Sequence, residues 1–197
     1  MDLALFRLLN GLAGHWPWLD DLVRFLVNDY VAPTVLSLAL LGLWFSGSEV
    51  YGRRRRQFAV VQAIAAVLLA NGIVKLLNLV LFRPRPFADL DVTLLFYRPT
   101  DSTLPSNPAA VAFAFAATVY LHERTWGLWM GVVAALFGLA RVIAGVHYPL
   151  DVVAGAGVGI LAAHLALRLP GLGRLARLVI YVGRRLLLAR PQHWQPV

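Results

Sequence analysis

An arginine, a histidine and an aspartate stand at fixed spacing in Arg141-Val-Ile-Ala-Gly-Val-His147-Tyr-Pro-Leu-Asp151, between two long apolar runs. A neutral histidine can attack phosphorus through one ring nitrogen. A carboxylate that accepts a hydrogen bond from the other nitrogen fixes the tautomer and stabilises the cation that forms. His147 and Asp151 lie four apart, hence on one helix face if a helix begins near His147. Ionisable groups at the ends of apolar runs mark function more often than not, and an arginine fork matches phosphate oxygens. Arg141 meets that description, as do Arg83 and Arg85 in Phe82-Arg-Pro-Arg-Pro-Phe87. Ser106-Asn107-Pro108 reads as a helix start, with Ser106 or Asn107 as cap and Pro108 in the first turn, where backbone NH groups can bind an anion. Each motif alone also fits a structural role, as an interfacial histidine or a plain cap. Together they point to a phosphate carried on a lipid.

The elements that must position these residues are membrane helices. Of 197 residues, 59% are hydrophobic and 14% charged, far from the soluble average, which marks an integral membrane protein. The chain reads as all-α, a polytopic transmembrane helical bundle of five to six spans with an N-terminal interfacial helix. Runs that approach the roughly 20 apolar residues needed to cross a bilayer lie at Tyr30 to Ser46, Phe58 to Phe82, Pro108 to Leu121, Trp126 to Ala144 and Leu150 to Leu169. The first can extend back through Leu22 to Val27, with Asp20, Asp21, Arg24 and Asp29 at its outer end. No Ser/Gly-rich linker divides the chain, so 1–197 is expected to form a single domain, with an interfacial helix at 1–18 and a basic cytoplasmic tail at 170–197. In the N-terminal helix Leu5, Leu8, Leu9 and Leu12 share a face and Asp2, Arg7 and Asn10 lie elsewhere. No clear signal-peptide cleavage site follows, so this helix is expected to be retained.

Eleven arginines, among them Arg53 to Arg56, Arg124, Arg168, Arg174 and Arg190, fall on one side of the proposed spans, and six on the other. The side with eleven is expected to be cytoplasmic, which turns the motifs outward. Arg85, Ser106, Arg141 and His147 all fall at helix ends on that outer side. The net charge of +8 flanks apolar spans rather than a soluble module, so it fits topology and contact with anionic membrane lipids and argues against nucleic acid. The absence of cysteine rules out disulfides and thiolate metal sites. Gly155-Ala-Gly-Val-Gly159 carries a GxxxG pattern suited to close helix packing.

Together these motifs resemble the type 2 phosphatidic-acid phosphatase superfamily, with its Lys-x6-Arg-Pro, Pro-Ser-Gly-His and Ser-Arg-x5-His-x3-Asp patterns. The third matches from Arg141 onward. Within it the chain looks most like the bacitracin-resistance branch of undecaprenyl-diphosphate phosphatases, through Phe82-Arg-Pro-Arg-Pro-Phe87, Pro105-Ser106 and Val146-His-Tyr-Pro-Leu-Asp-Val152. The resemblance implies a phosphatase that needs no metal or other cofactor, acts on polyprenyl diphosphate or another lipid phosphate, and passes through a phosphohistidine. By it His147 is the nucleophile and Asp151 its partner, while Arg85, Ser106 and Arg141 hold the phosphoryl group, with Asn107 and Arg83 beside them.

The chain also departs from the family pattern. Asn78 stands where the family has lysine, and Lys75, the sole lysine, lies about one turn earlier. It either reaches the phosphate by snorkelling or faces another helix and requires an acidic partner. Ala140 replaces the family serine. Pro108 stands where the family histidine protonates the leaving group, a loss that general acid catalysis values at about 10² to 10⁴-fold. A lipid diphosphate can expel a phosphate monoester, whose second pKa is about 6, without that proton, whereas a lipid monophosphate must expel an alkoxide. His122 and His193 are assigned to the other side and His164 to mid-span. His15, Asp89, Asp91 and Asp101 remain as outward substitutes. A catalytically impaired lipid-phosphate binder or translocator is the alternative function.

Overall fold

In the computed structural model, residues 1–46 and 50–185 are described; Arg190, His193 and the rest of 186–197 lie outside them. The described residues form helices and no strand: α1 Asp2–Asn10, α2 Pro17–Val27, α3 Val31–Phe45, α4 Val50–Val80, α5 Pro86–Asp89, α6 Asn107–His122, α7 Arg124–Ile143, α8 Pro149–Arg168 and α9 Leu172–Arg185. Each break follows local chemistry. The α4 helix stops before Arg83-Pro-Arg-Pro, where two residues lack an NH and restrict the residue before them. The α6 and α8 helices begin with Pro108 and Pro149 in their first turns. Gly145, at φ +81°, turns the chain between α7 and α8 in a left-handed conformation that favours glycine.

The core is built from small residues that let helices approach closely. The α6 helix packs against α4, α7 and α8, burying Ala109, Ala110, Ala112 and Ala114. A Cβ at Gly155 would collide with the Ser106 carbonyl, and one at Gly159 with that of Ala110. The GxxxG face of α8 is therefore spent inside the bundle, and it draws the start of α6 onto the start of α8. There the Ser106 amide donates to the Asp151 carbonyl at 3.0 Å.

Among the described residues, three helices are long and apolar enough to cross a membrane: Gly52–Val80 within α4, Arg124–Ile143 and Pro149–Arg168. A fourth span forms if α2 and α3, bent by 58°, count as one broken crossing. The extension through Leu22 to Val27 is therefore helical but kinked, and the break falls where Asn28 and Asp29 sit. The expected span at Pro108 to Leu121 is the central α6, 16 residues or about 24 Å long, short of the roughly 30 Å of hydrocarbon. The five-to-six-span count is thus met only in part.

The N-terminal helix expected at the interface keeps Leu5 and Leu8 exposed and turns Phe6 and Asn10 inward. Asn10 Nδ2 donates to the carbonyls of Thr93 at 2.8 Å and Ile143 at 2.9 Å, which ties α1 to the end of α7. The segment from residue 170 includes a helix, α9, with Leu172, Ala176 and Ile180 buried and Leu175, Leu178 and Val182 exposed.

Candidate active site

His147 lies in the turn before α8, 1% exposed, rather than on the helix with Asp151. Its Nδ1 sits 2.9 Å from Thr103 Oγ1 and 3.1 Å from the Thr103 carbonyl. A carbonyl only accepts, so Nδ1 carries the proton and the lone pair resides on Nε2. Nε2 is buried and has no hydrogen-bond partner. Burial, then the Arg141 and Arg85 charges, hold the imidazole well below its usual value of 6.5, so it is neutral near pH 7.

Asp151 does not meet His147 directly; Oδ2 stands 4.0 Å from Nδ1, outside hydrogen-bond range. Thr103 Oγ1 fills the gap, donating to Asp151 Oδ2 at 2.7 Å. The same oxygen accepts the Tyr148 amide at 2.8 Å, closing the first turn of α8. Oδ1 accepts Arg83 Nη1 at 2.7 Å, and Arg83 Nη2 reaches Asp2 Oδ2 at 2.7 Å. Arg83 also lies 4.0 Å over the Tyr148 ring. Arg83, expected at the phosphate, has its fork held by these two carboxylates at hydrogen-bonding distance.

The other two arginines are also buried, Arg85 5% exposed and Arg141 2%. Arg85 donates to the Asp101 carboxylate at 2.8 Å, to the Asp101 carbonyl at 3.1 Å and to the Val146 carbonyl at 3.0 Å. Arg141 Nη1 donates to Asp29 Oδ1 at 2.9 Å, and its Nε has no partner. Ser106 occupies the N-cap position of α6, yet its hydroxyl makes no capping bond and is buried without a partner, as is Asn107 Oδ1. Among the described residues, eight buried side-chain nitrogen and oxygen atoms lack a hydrogen-bond partner, and four belong to Ser106, Asn107, Arg141 and His147. Native interiors leave few such atoms, so this concentration marks a place suited to a polar ligand.

Lys75 is not brought to this cluster. Its side chain is exposed on α4, and no ion pair or hydrogen bond ties it to the site. An outward-facing cation on a lipid-facing helix needs no acidic partner if it snorkels, which resolves the two placements against burial. Asn78 is half-buried with Oδ1 unpartnered. Pro108 is half-buried in the first turn of α6, beside Ser106. Of the substitute acids, Asp101 is held by Arg85, while His15 and Asp91 line a separate cavity with Arg7 and Asn10. Sequence reasoning missed Thr103, Asp2 and Asp29. Thr103 stands three residues before Ser106, and its type carries no signal without the fold.

With three apolar spans among the described residues and a buried cluster of His147, Arg85 and Arg141 at one end of them, the chain is a multi-pass membrane protein. The PAP2 superfamily model matches residues 59–173, and the chain belongs to that superfamily. It is 30% identical over 174 residues to undecaprenyl-diphosphatase BcrC of Bacillus subtilis, covering 88% of this chain and 86% of that protein. It is 31% identical to the bacitracin transport permease protein BcrC of Bacillus licheniformis, covering 83% of this chain and 77% of that one. The crystal structure of Aquifex aeolicus LpxE is similar at a TM-score of 0.68 and 31% identity, covering 85% of this chain and 95% of that chain.

Proposed function

We propose that the protein is a membrane lipid phosphatase that hydrolyses undecaprenyl diphosphate, or a closely related polyprenyl diphosphate, to the monophosphate through a phosphohistidine on His147. The reading places the site at the outer face of a bacterial inner membrane. The observation that carries it is the neutral, buried His147, whose Nδ1–H is held by Thr103 and whose Nε2 is bare beside Arg85 and Arg141.

In the first step the Nε2 lone pair attacks the terminal phosphorus, an N–P bond forms, and the P–O bond to the lipid phosphate breaks. Arg141, Arg85 and the Ser106 hydroxyl stabilise the charge on the transferred group, with Arg85 exchanging the Asp101 carboxylate for phosphate oxygen. The leaving lipid monophosphate carries its own charge and departs without a proton. In the second step water attacks phosphorus, the N–P bond breaks, and inorganic phosphate is released. Pro108 keeps the binder or translocator alive as a second reading, since it removes the acid that a basic leaving group needs.

Phosphate release by purified protein from polyprenyl diphosphate, with His147→Ala as control, tests the proposal. Tight binding of the diphosphate without release would replace it with the binder.

A further inference from the structure

We propose that Thr103 is the positioning residue of this site, interposed between Asp151 and His147 so that the carboxylate acts on the nucleophile through a hydroxyl rather than by contact. This rests on the phosphohistidine reading. Thr103 is fully buried, and its amide donates to the Arg83 carbonyl at 3.1 Å, which pins the loop to the end of α4. Its one hydroxyl proton goes to Asp151 Oδ2, because a carboxylate only accepts. The hydroxyl lone pair and the Thr103 carbonyl are then left as two acceptors for a single Nδ1–H.

Neither acceptor can take that proton, since a hydroxyl and an amide carbonyl are far weaker bases than imidazole. As the N–P bond forms, the ring becomes a cation that keeps its Nδ1 proton, with the negative Asp151 one hydroxyl away. The retained cation keeps nitrogen a good leaving group for the water step. A directly bonded carboxylate would need only a correctly placed His and Asp; here the device fails unless residue 103 carries a hydroxyl.

Thr103→Ser and Thr103→Val separate this from a packing role. The serine variant should hold kcat within about 3-fold, and the valine variant should lose about 10 to 100-fold in kcat with KM within about 2-fold, on the scale of one positioned polar group. The charged groups facing His147 are Arg85, Arg141 and Asp151, backed by Asp101, Asp29 and Arg83. Removing the hydroxyl leaves Asp151 one donor short, so its field on the ring grows and the acid limb of the rate profile should move to higher pH. Equal loss in both variants, or a valine variant with unchanged kcat, overturns the proposal. If wild type releases no phosphate, the phosphatase reading falls. Thr103 is then judged by ¹⁵N histidine resonances, assigned with His147→Gln: an Nδ1–H tautomer near pH 7 sustains it and Nε2–H overturns it.

A separate observation lies at the far end of the bundle. Arg54 of α4 and Arg177 of α9 flank an open cavity of about 470 Å³ floored by Phe58 and Ile180. Neither arginine pairs with a carboxylate among the described residues. On α9 the exposed Leu175, Leu178 and Val182 form an apolar stripe beside the arginine face, the pattern of a helix lying in a membrane surface. We infer that this cavity holds the headgroup of an anionic phospholipid. Protein reconstituted in phosphatidylcholine with about 30 mol % phosphatidylglycerol, then extracted in detergent, should retain phosphatidylglycerol several-fold over phosphatidylcholine. The Arg54→Gln/Arg177→Gln variant should lose that preference. Equal retention by both proteins overturns the inference.

Discussion

The Arg83 guanidinium stands 2.7 Å from Asp151 Oδ1, and with Asp2 on its other side it forms a ladder that runs from α1 to the first turn of α8. Asp151 is fully buried, so this contact and the Thr103 and Tyr148 bonds are what make its charge tolerable. The two arginines of Arg83-Pro-Arg85 therefore face different tasks. Arg83 pairs with the carboxylate that Thr103 links to His147, and Arg85, in the proposed reaction, would hold the phosphate.

Arg83→Gln and Arg85→Gln should accordingly fail in different ways. The first leaves a buried carboxylate short of its cation, so it should lower the apparent Tm in detergent and reduce kcat, with KM little changed. Arg83 is partly exposed, which screens the loss to about 1–3 kcal/mol, below the 3–5 typical of a broken fully buried pair. The second should raise KM and lower kcat/KM by about 10²-fold or more, as expected for a donor to transferred phosphate. The same kinetic pattern in both variants would refute the division.

His147→Ala and Arg141→Ala should each abolish phosphate release while the protein stays folded by size-exclusion chromatography. Chelation with EDTA should leave the wild-type rate unchanged. Turnover surviving in His147→Ala would remove the phosphohistidine, and a loss in EDTA restored by a divalent ion would remove metal independence.

The pH dependence follows from the depressed His147 pKa. The neutral ring is the reactive form, so kcat/KM should persist as pH falls through 6.5, once the substrate's own ionisation is measured separately. The stability sign is also fixed. Below 6.5 the unfolded chain binds a proton that the folded site refuses, so stability contributed by neutral His147 is present above 6.5 and is lost as pH falls toward the folded pKa. An acid limb centred above 6.5 would contradict the buried, arginine-flanked ring.

Much of this was written in the sequence because membrane helices announce their ends. Prolines after Phe82 and at Pro108 and Pro149 set where α4 stops and α6 and α8 start, and they thereby collect Arg85, Ser106 and His147 at one end. What stayed hidden is long-range or polar. Asp2 meets Arg83 across 81 positions, and nothing local marks Thr103 as the link between His147 and Asp151. On α1, Leu5 and Leu8 stay exposed, where apolar groups can face lipid, while the inward positions go to Phe6 and to Asn10, whose amide has backbone partners to satisfy. Lys75 lies on an exposed helix face, from which a lysine can reach water by snorkelling.

Orientation is open to single cysteines placed in this cysteine-free chain and a thiol reagent that does not cross membranes. A cysteine at Asp101, which is exposed beside the site, should react from outside intact cells, and one at Arg54 should be protected. The reverse pattern would turn the site toward the cytoplasm and remove the outer-face reading.

Pro108→His separates enzyme from binder. Pro108 lies in the first turn of α6, where its missing NH would be unpaired in any case, so a histidine there costs the helix little. It would stand two residues from Ser106, at the end of the bundle that holds His147. The variant should gain activity, and more on lipid monophosphates than on diphosphates, because only the monophosphate must expel a strongly basic alkoxide that needs the proton. The expected gain on monophosphate is about 10² to 10⁴-fold, the usual worth of a placed general acid. It should vanish when His147 is also replaced. If wild type and Pro108→His are both inactive on both substrates while the diphosphate still binds, the site holds lipid phosphate without cleaving it, and the phosphatase gives way to the binder.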